Sequence, residues 1–154
     1  MSVLINYKKN SYKKNNSNLI LFIDEKFNID SLKKHISLSD HSFISDILKT
    51  KDTKKKILSF DISSKRRIIL VSLEKNITKS AIENLGAKFY DLFKGFKQSE
   101  YNLNSDSIHN EQKNLIGNFL HGLKLKSYVF EKYKSKKNKK NILVTVIGKN
   151  KPSS

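Results

Sequence analysis

The chain has 154 residues, 31 of them Lys or Arg against 14 Asp or Glu, for a net charge of +17; 37% are hydrophobic and none is cysteine. That is one domain's worth of chain on a scale of roughly 100–200 residues per domain, and the lack of cysteine excludes disulfides, zinc–thiolate sites, iron–sulfur clusters and thiol nucleophiles. The longest apolar runs, Leu19–Ile23, Ile68–Val71 and Ile142–Ile147, fall far short of the roughly 20 residues of a membrane span. Met1–Tyr7 lacks a basic stretch leading into an apolar one, so the expectation is a cytoplasmic protein with no membrane contact.

Val3–Tyr7 reads as a short strand and Lys8–Asn18 as a polar loop. Leu19–Ile23 is an unbroken apolar run bounded by Asn18 and Asp24, the pattern of a strand covered on both faces. Asp30 or Ser31 is a candidate cap for a short helix through Ile36. Ser39–Lys49 carries Phe43, Ile44, Ile47 and Leu48 at helical spacing. Ile57–Phe60 and Ile68–Leu73 read as strands, and the short connection Asp61–Arg67 predicts a hairpin.

The clearest helix begins near Thr78. Thr78 or Ser80 is its candidate cap, and Ser80 with Glu83 has the spacing of a capping box. Ile82, Leu85, Phe89, Leu92, Phe93 and Phe96 then form one apolar stripe. Gly86 and Ala87 within it would allow close approach to a strand. Glu100–Asn104 alternates weakly as a strand would. Ser105, Asp106 or Ser107 could cap a further helix with the stripe Ile108, Leu115, Ile116, Phe119, Leu120 and Leu123. Lys124–Tyr133 is expected to leave that helix, with Tyr128 and Phe130 as core anchors. Ser135–Asn141 is a lysine-rich loop, and Ile142–Ile147 the last strand. Strands alternating with helices make this an α/β domain with a mixed, largely parallel sheet. It is expected to span residues 1–148, with 149–154 as a tail or the start of a linker.

Few groups suit catalysis. No pair among His35, His41, His109 and His121 has the HExxH spacing that puts two metal ligands on one helical face, so all four read as surface residues. Asp24-Glu25 follows a strand but reads as a solvated turn. The five glycines, at 86, 95, 117, 122 and 148, form no GxGxxG or Walker pattern. The best-placed loop for phosphate, Val71–Asn76, has no glycine and carries Glu74. This argues against a nucleotide or ADP-ribose pocket. No catalytic residue, metal ligand or cofactor is expected in this chain.

The densest charge feature is Lys132–Lys140, with the six lysines Lys132, Lys134, Lys136, Lys137, Lys139 and Lys140. As a functional patch it would contact nucleic acid through the phosphate backbone, weakly and without sequence preference. As a structural feature it is a solvated loop. Composition favours the second view. Only Arg66 and Arg67 are arginines, although arginine is the better residue for bidentate phosphate recognition. An excess of Lys, Asn and Ile also follows from AT-rich codons without selection for binding.

The segment His121–Lys134 (HGLKLKSYVFEKYK) resembles a signature of the cytosol (leucyl) aminopeptidase family, whose N-terminal domain carries approximately E-G-x-x-L-x-S-Y-x-F-x-x-Y-K. The matching residues are Gly122, Leu125, Ser127, Tyr128, Phe130, Tyr133 and Lys134. The run Arg67–Lys75 is similar to the family's apolar strand and turn, and the helix with Ala81, Gly86 and Ala87 to its Ala-rich helix. Ser72 and Glu74 stand where the family has glycines, and His121 where it has an acid. The resemblance implies a macrodomain-like, three-layer fold and an N-terminal domain that does no chemistry. Peptide hydrolysis belongs to a following domain with two divalent ions, Mn or Zn. The motif Asn-Thr-Asp-Ala-Glu-Gly-Arg-Leu around that centre is absent here. The resemblance further implies assembly with aminopeptidase catalytic domains or subunits, as hexamers, and DNA binding in some members.

Overall fold

Leu19–Asp24 (β2) and Arg66–Leu73 (β4) lie side by side in parallel, Leu19 paired with Ile68 and Asp24 with Leu73. Every side chain from Leu19 to Ile23 and from Ile68 to Leu73 is buried, so these runs need apolar residues on both faces. The computed structural model describes residues 3–8, 18–27, 29–34, 36–50, 55–63, 66–93, 100–104, 107, 115–133 and 142–147. Around β2 and β4 are Val3–Lys8 (β1), Ile57–Ser63 (β3), Glu100–Asn104 (β5) and Ile142–Ile147 (β6). The six strands run in the order β1-β6-β5-β2-β4-β3, all neighbours parallel except the β3–β4 hairpin.

Among the described residues, three α-helices complete the layers. Leu38–Leu48 (α1) and a 3-10 turn at Asp30–Lys34 cover one face. There Leu19, Leu21 and Ile23 meet Phe27, Leu32, Ile36, Ile44, Phe60 and Leu70. Lys79–Phe93 (α2) and Leu115–Tyr133 (α3) cover the other. There Ile20, Phe22, Tyr101 and Val144 meet Ile82, Phe89, Phe119 and Leu123. This core is built on aromatic edges: Phe119 packs on Phe22 at 5.5 Å, and Phe89 on Tyr101 at 5.4 Å, both near perpendicular. The result is the expected three-layer α/β fold with a mixed, mostly parallel sheet.

The caps are local. Ser37 Oγ accepts the Asp40 N–H at the start of α1. Of the two candidate caps for α2, Thr78 is the one used: its hydroxyl accepts the Ala81 N–H at 3.1 Å, and Ser80 lies inside the helix.

Two expectations are corrected here. Lys124–Tyr133 does not leave the helix; α3 continues to Tyr133. The alternation Leu123-Lys124-Leu125-Lys126 imitates a strand, yet Leu123 is fully buried while Leu125 is half exposed, as a 100° step per residue requires. Tyr128 is accordingly no core anchor: it is 67% exposed. Gly86 does allow a close approach, but to a helix. A Cβ there would fall on the Phe119 carbonyl and 2.9 Å from the Leu123 nitrogen of α3. Phe96, Ile108 and the Ser105 and Asp106 cap candidates lie outside the described residues, and the side chain of Phe130 does as well.

Candidate functional site

In open α/β sheets, ligands favour the carboxyl ends of strands where adjacent chains depart to opposite faces. Here that place is between β2, which leads to α1, and β5, which leads to α3. The two strands pair only through Leu19–Asn102 and Ile20–Leu103. Past Ile20, a hydroxyl from further along the chain takes over. Ser107 Oγ accepts the Phe22 N–H at 3.0 Å and donates to the Asn104 carbonyl at 2.6 Å. On the other side of β2, Ser72 Oγ donates to the Asp24 carbonyl at 3.3 Å. The same carbonyl accepts the Phe27 N–H, closing a turn with Phe27 at φ 56°. A left-handed backbone is costly for phenylalanine, and the buried Phe27 ring holds it in place. Glu25 at this turn is exposed and Asp24 half-buried, as expected for a solvated turn. Among the described residues, the Phe22 and Phe27 N–H groups and the Asp24 and Asn104 carbonyls at this crevice are thus satisfied from within the chain.

The opposite strand ends hold the chain's two arginines. Arg66 and Asp40 of α1 meet at 2.8 Å, with side chains 11% and 8% exposed. Arg67 Nε donates to Asp61 at 2.7 Å, and its guanidinium lies 5.6 Å from the Phe93 ring centre. Asn18 accepts the Arg67 N–H at 2.7 Å and donates to the Glu100 carbonyl at 3.0 Å, tying β2 to both neighbours. Burial pushes the Tyr101 phenol up to about 12, against the opposing pull of the Arg67 charge and hydrogen bond. This end is built for cohesion. Sequence reasoning did not assign these roles to Arg66, Arg67, Asn18 or Ser107, although two arginines in a lysine-dominated chain were a signal.

The histidines and carboxylates do not converge. His121 is exposed, and His41 is half-buried with Nε2 3.1 Å from the Ile29 carbonyl, so it is more enclosed than a surface residue. His35 and His109 lie outside the described residues. Among the described residues, no three His, Cys, Asp or Glu side chains are grouped so as to hold a metal. No helix there is long and apolar enough to cross a membrane.

The signature segment divides by face. Gly122 faces α2, where a Cβ would strike the Glu83 backbone. Ser127 is buried and its hydroxyl donates to the Lys124 carbonyl at 2.7 Å. Leu125 and Tyr128 point to solvent, 51% and 67% exposed. Phe130, Lys132 and Tyr133 belong to α3, but their side chains lie outside the described residues, as do Lys134, Lys136, Lys137, Lys139 and Lys140.

The model of the cytosol aminopeptidase family's N-terminal domain matches residues 24–137. The chain belongs to this family. The match runs from the last residue of β2 past the end of α3. No curated protein matches the chain. Within the cytosol aminopeptidase family, the part found here is the N-terminal domain. Its Gly122 now has a structural reason, the contact with α2.

Proposed function

We propose that this chain is the non-catalytic assembly domain of a metal-dependent cytosol aminopeptidase, spanning residues 1–148 and packing against catalytic subunits in a cytoplasmic hexamer. The carrying observation is the family match over residues 24–137, which is to the N-terminal domain. A second support is the signature helix, which presents Leu125 and Tyr128 outward while Gly122 and Ser127 hold the fold. The two divalent ions, Mn or Zn, belong in this reading to the catalytic domain. The described residues do not fit such a centre, since they bring no three ligand side chains together. The test is co-expression with the catalytic domain of the same organism's cytosol aminopeptidase, followed by light scattering on the purified material. The reading requires a joint species of hexameric mass; two species that elute separately would contradict it.

A second reading is motivated by the net charge of +17: weak and sequence-independent binding of nucleic acid by Lys132, Lys134, Lys136, Lys137, Lys139 and Lys140. Affinity for duplex DNA should fall steeply with salt, and replacing Lys136, Lys137, Lys139 and Lys140 by Gln should flatten that slope. No binding at low ionic strength would remove this reading.

A further inference from the structure

His121, Leu125 and Tyr128 follow one another at steps of four and three residues, and all three are exposed on α3. That spacing places them in one stripe along the helix. Among the residues of α3 whose side chains are described, Ile116, Phe119, Leu120 and Leu123 are buried in the core, and Gly122 meets α2. The stripe thus joins an aliphatic and an aromatic side chain beside a polar, titratable ring. A tyrosine offers a large apolar area at low conformational cost and a hydroxyl at its tip, which makes it a frequent anchor in interfaces.

We infer that this stripe is a docking face for a partner surface with an apolar slot edged by carboxylates, located on the aminopeptidase catalytic subunit. The choice of subunit rests on the assembly reading above; the acidic edge rests on charge. Lys124 is exposed beside the stripe, and Lys126 is held by Asp91 of α2 at 3.7 Å. The lysine next to Leu125 that lacks such an ion pair among the described residues is therefore Lys124. A second copy of this chain is a poor occupant. A two-fold contact through α3 would bring together two bodies of charge +17. A partner carrying Asp and Glu around an apolar slot reverses the sign of that interaction.

The experiment is calorimetric titration of the full chain with the metal-loaded catalytic domain of the same organism's cytosol aminopeptidase, at low and high salt. Leu125→Ser and Tyr128→Ser should each weaken binding about tenfold or more, the loss expected of central anchors. Lys124→Glu should weaken it and reduce its salt dependence. Leu38→Ser is the control, since Leu38 is 77% exposed on α1 in the opposite layer; it should bind as wild type. All four positions are at the surface, and matching unfolding curves will establish that the variants fold. Wild-type binding that Leu125→Ser and Tyr128→Ser leave unchanged would overturn the docking face and spare the assembly reading. Absence of wild-type binding would overturn both. Self-association of the chain that Tyr128→Ser abolishes would overturn the acidic partner.

Discussion

Gly122 of α3 lies against the backbone of Glu83 of α2, so close that a Cβ would come 2.7 Å from the Glu83 carbonyl carbon and 2.8 Å from its Cα. Gly86 makes the reciprocal approach to Phe119 and Leu123. Alanine ordinarily stabilises a helix interior over glycine by about 1 kcal/mol. Here the obstruction is backbone, which cannot rotate away, so the sign should reverse. Gly122→Ala and Gly86→Ala are expected to lose about 1–3 kcal/mol by the helices being forced apart. Asn84→Ala, at an exposed position of α2, should stay within about 0.5 kcal/mol of wild type. Urea unfolding of the three variants measures this; a Gly122→Ala protein as stable as wild type would refute the crossing.

The Arg66–Asp40 pair is enclosed, whereas the Asp61 side chain that meets Arg67 is 70% exposed. Removing one member of a buried pair leaves an uncompensated charge. Asp40→Ala should therefore cost about 3–5 kcal/mol; Asp61→Ala removes an exposed carboxylate but also a charged hydrogen bond from Arg67, whose side chain is 12% exposed, and should cost less, about 1.5–3 kcal/mol. Equal losses in thermal or urea unfolding would contradict this ranking.

Much of this architecture was legible in the sequence. Leu19–Ile23 is apolar at every position, which only a strand covered on both faces can use. The stripe from Ile82 to Phe93 marked α2, and the short Asp61–Arg67 connection marked the antiparallel β3–β4 pair. The length of α3 was hidden because Leu123 and Leu125 alternate with lysines. Tyr128 then followed it into a core it does not enter. Gly86 announced a close neighbour without saying whether it was strand or helix. The insertion of β5 between β2 and β6 depends on crossovers, which no local pattern records. The same holds for Arg66 with Asp40, 26 residues apart, and for Phe22 with Ser107, 85 apart. The signature was legible as a motif, but its division into a buried side and a displayed side required the helix.

Ser107 completes β2 where β5 no longer pairs with it. In Ser107→Ala the Phe22 N–H loses its acceptor, and a buried donor left unsatisfied costs about 1–3 kcal/mol. Amide hydrogen exchange at Phe22 should accelerate more than at Ile69 in β4. Unchanged protection at Phe22 would show that another group holds this position.

Tyr101 links folding to alkaline pH. Its phenol is pushed up from 10.0 to about 12 by burial. The folded state therefore keeps this proton in a range where the unfolded chain releases it. The stability gained from the neutral phenol is intact below about pH 10 and falls as pH rises toward 12. The measurement is a difference between the variant and wild type. Between pH 9 and pH 11.5, roughly the span set by that shift, Tyr101→Phe should lose less stability than wild type. Identical alkaline profiles would mean that the phenol ionises freely.

The central claim, that this polypeptide is an assembly domain with no reaction centre of its own, is tested most directly by incubating the purified chain with leucyl-p-nitroanilide and saturating Mn²⁺ or Zn²⁺. The account predicts no release of p-nitroaniline above the metal-only control. Turnover that scales with protein concentration and stops on chelation would contradict it.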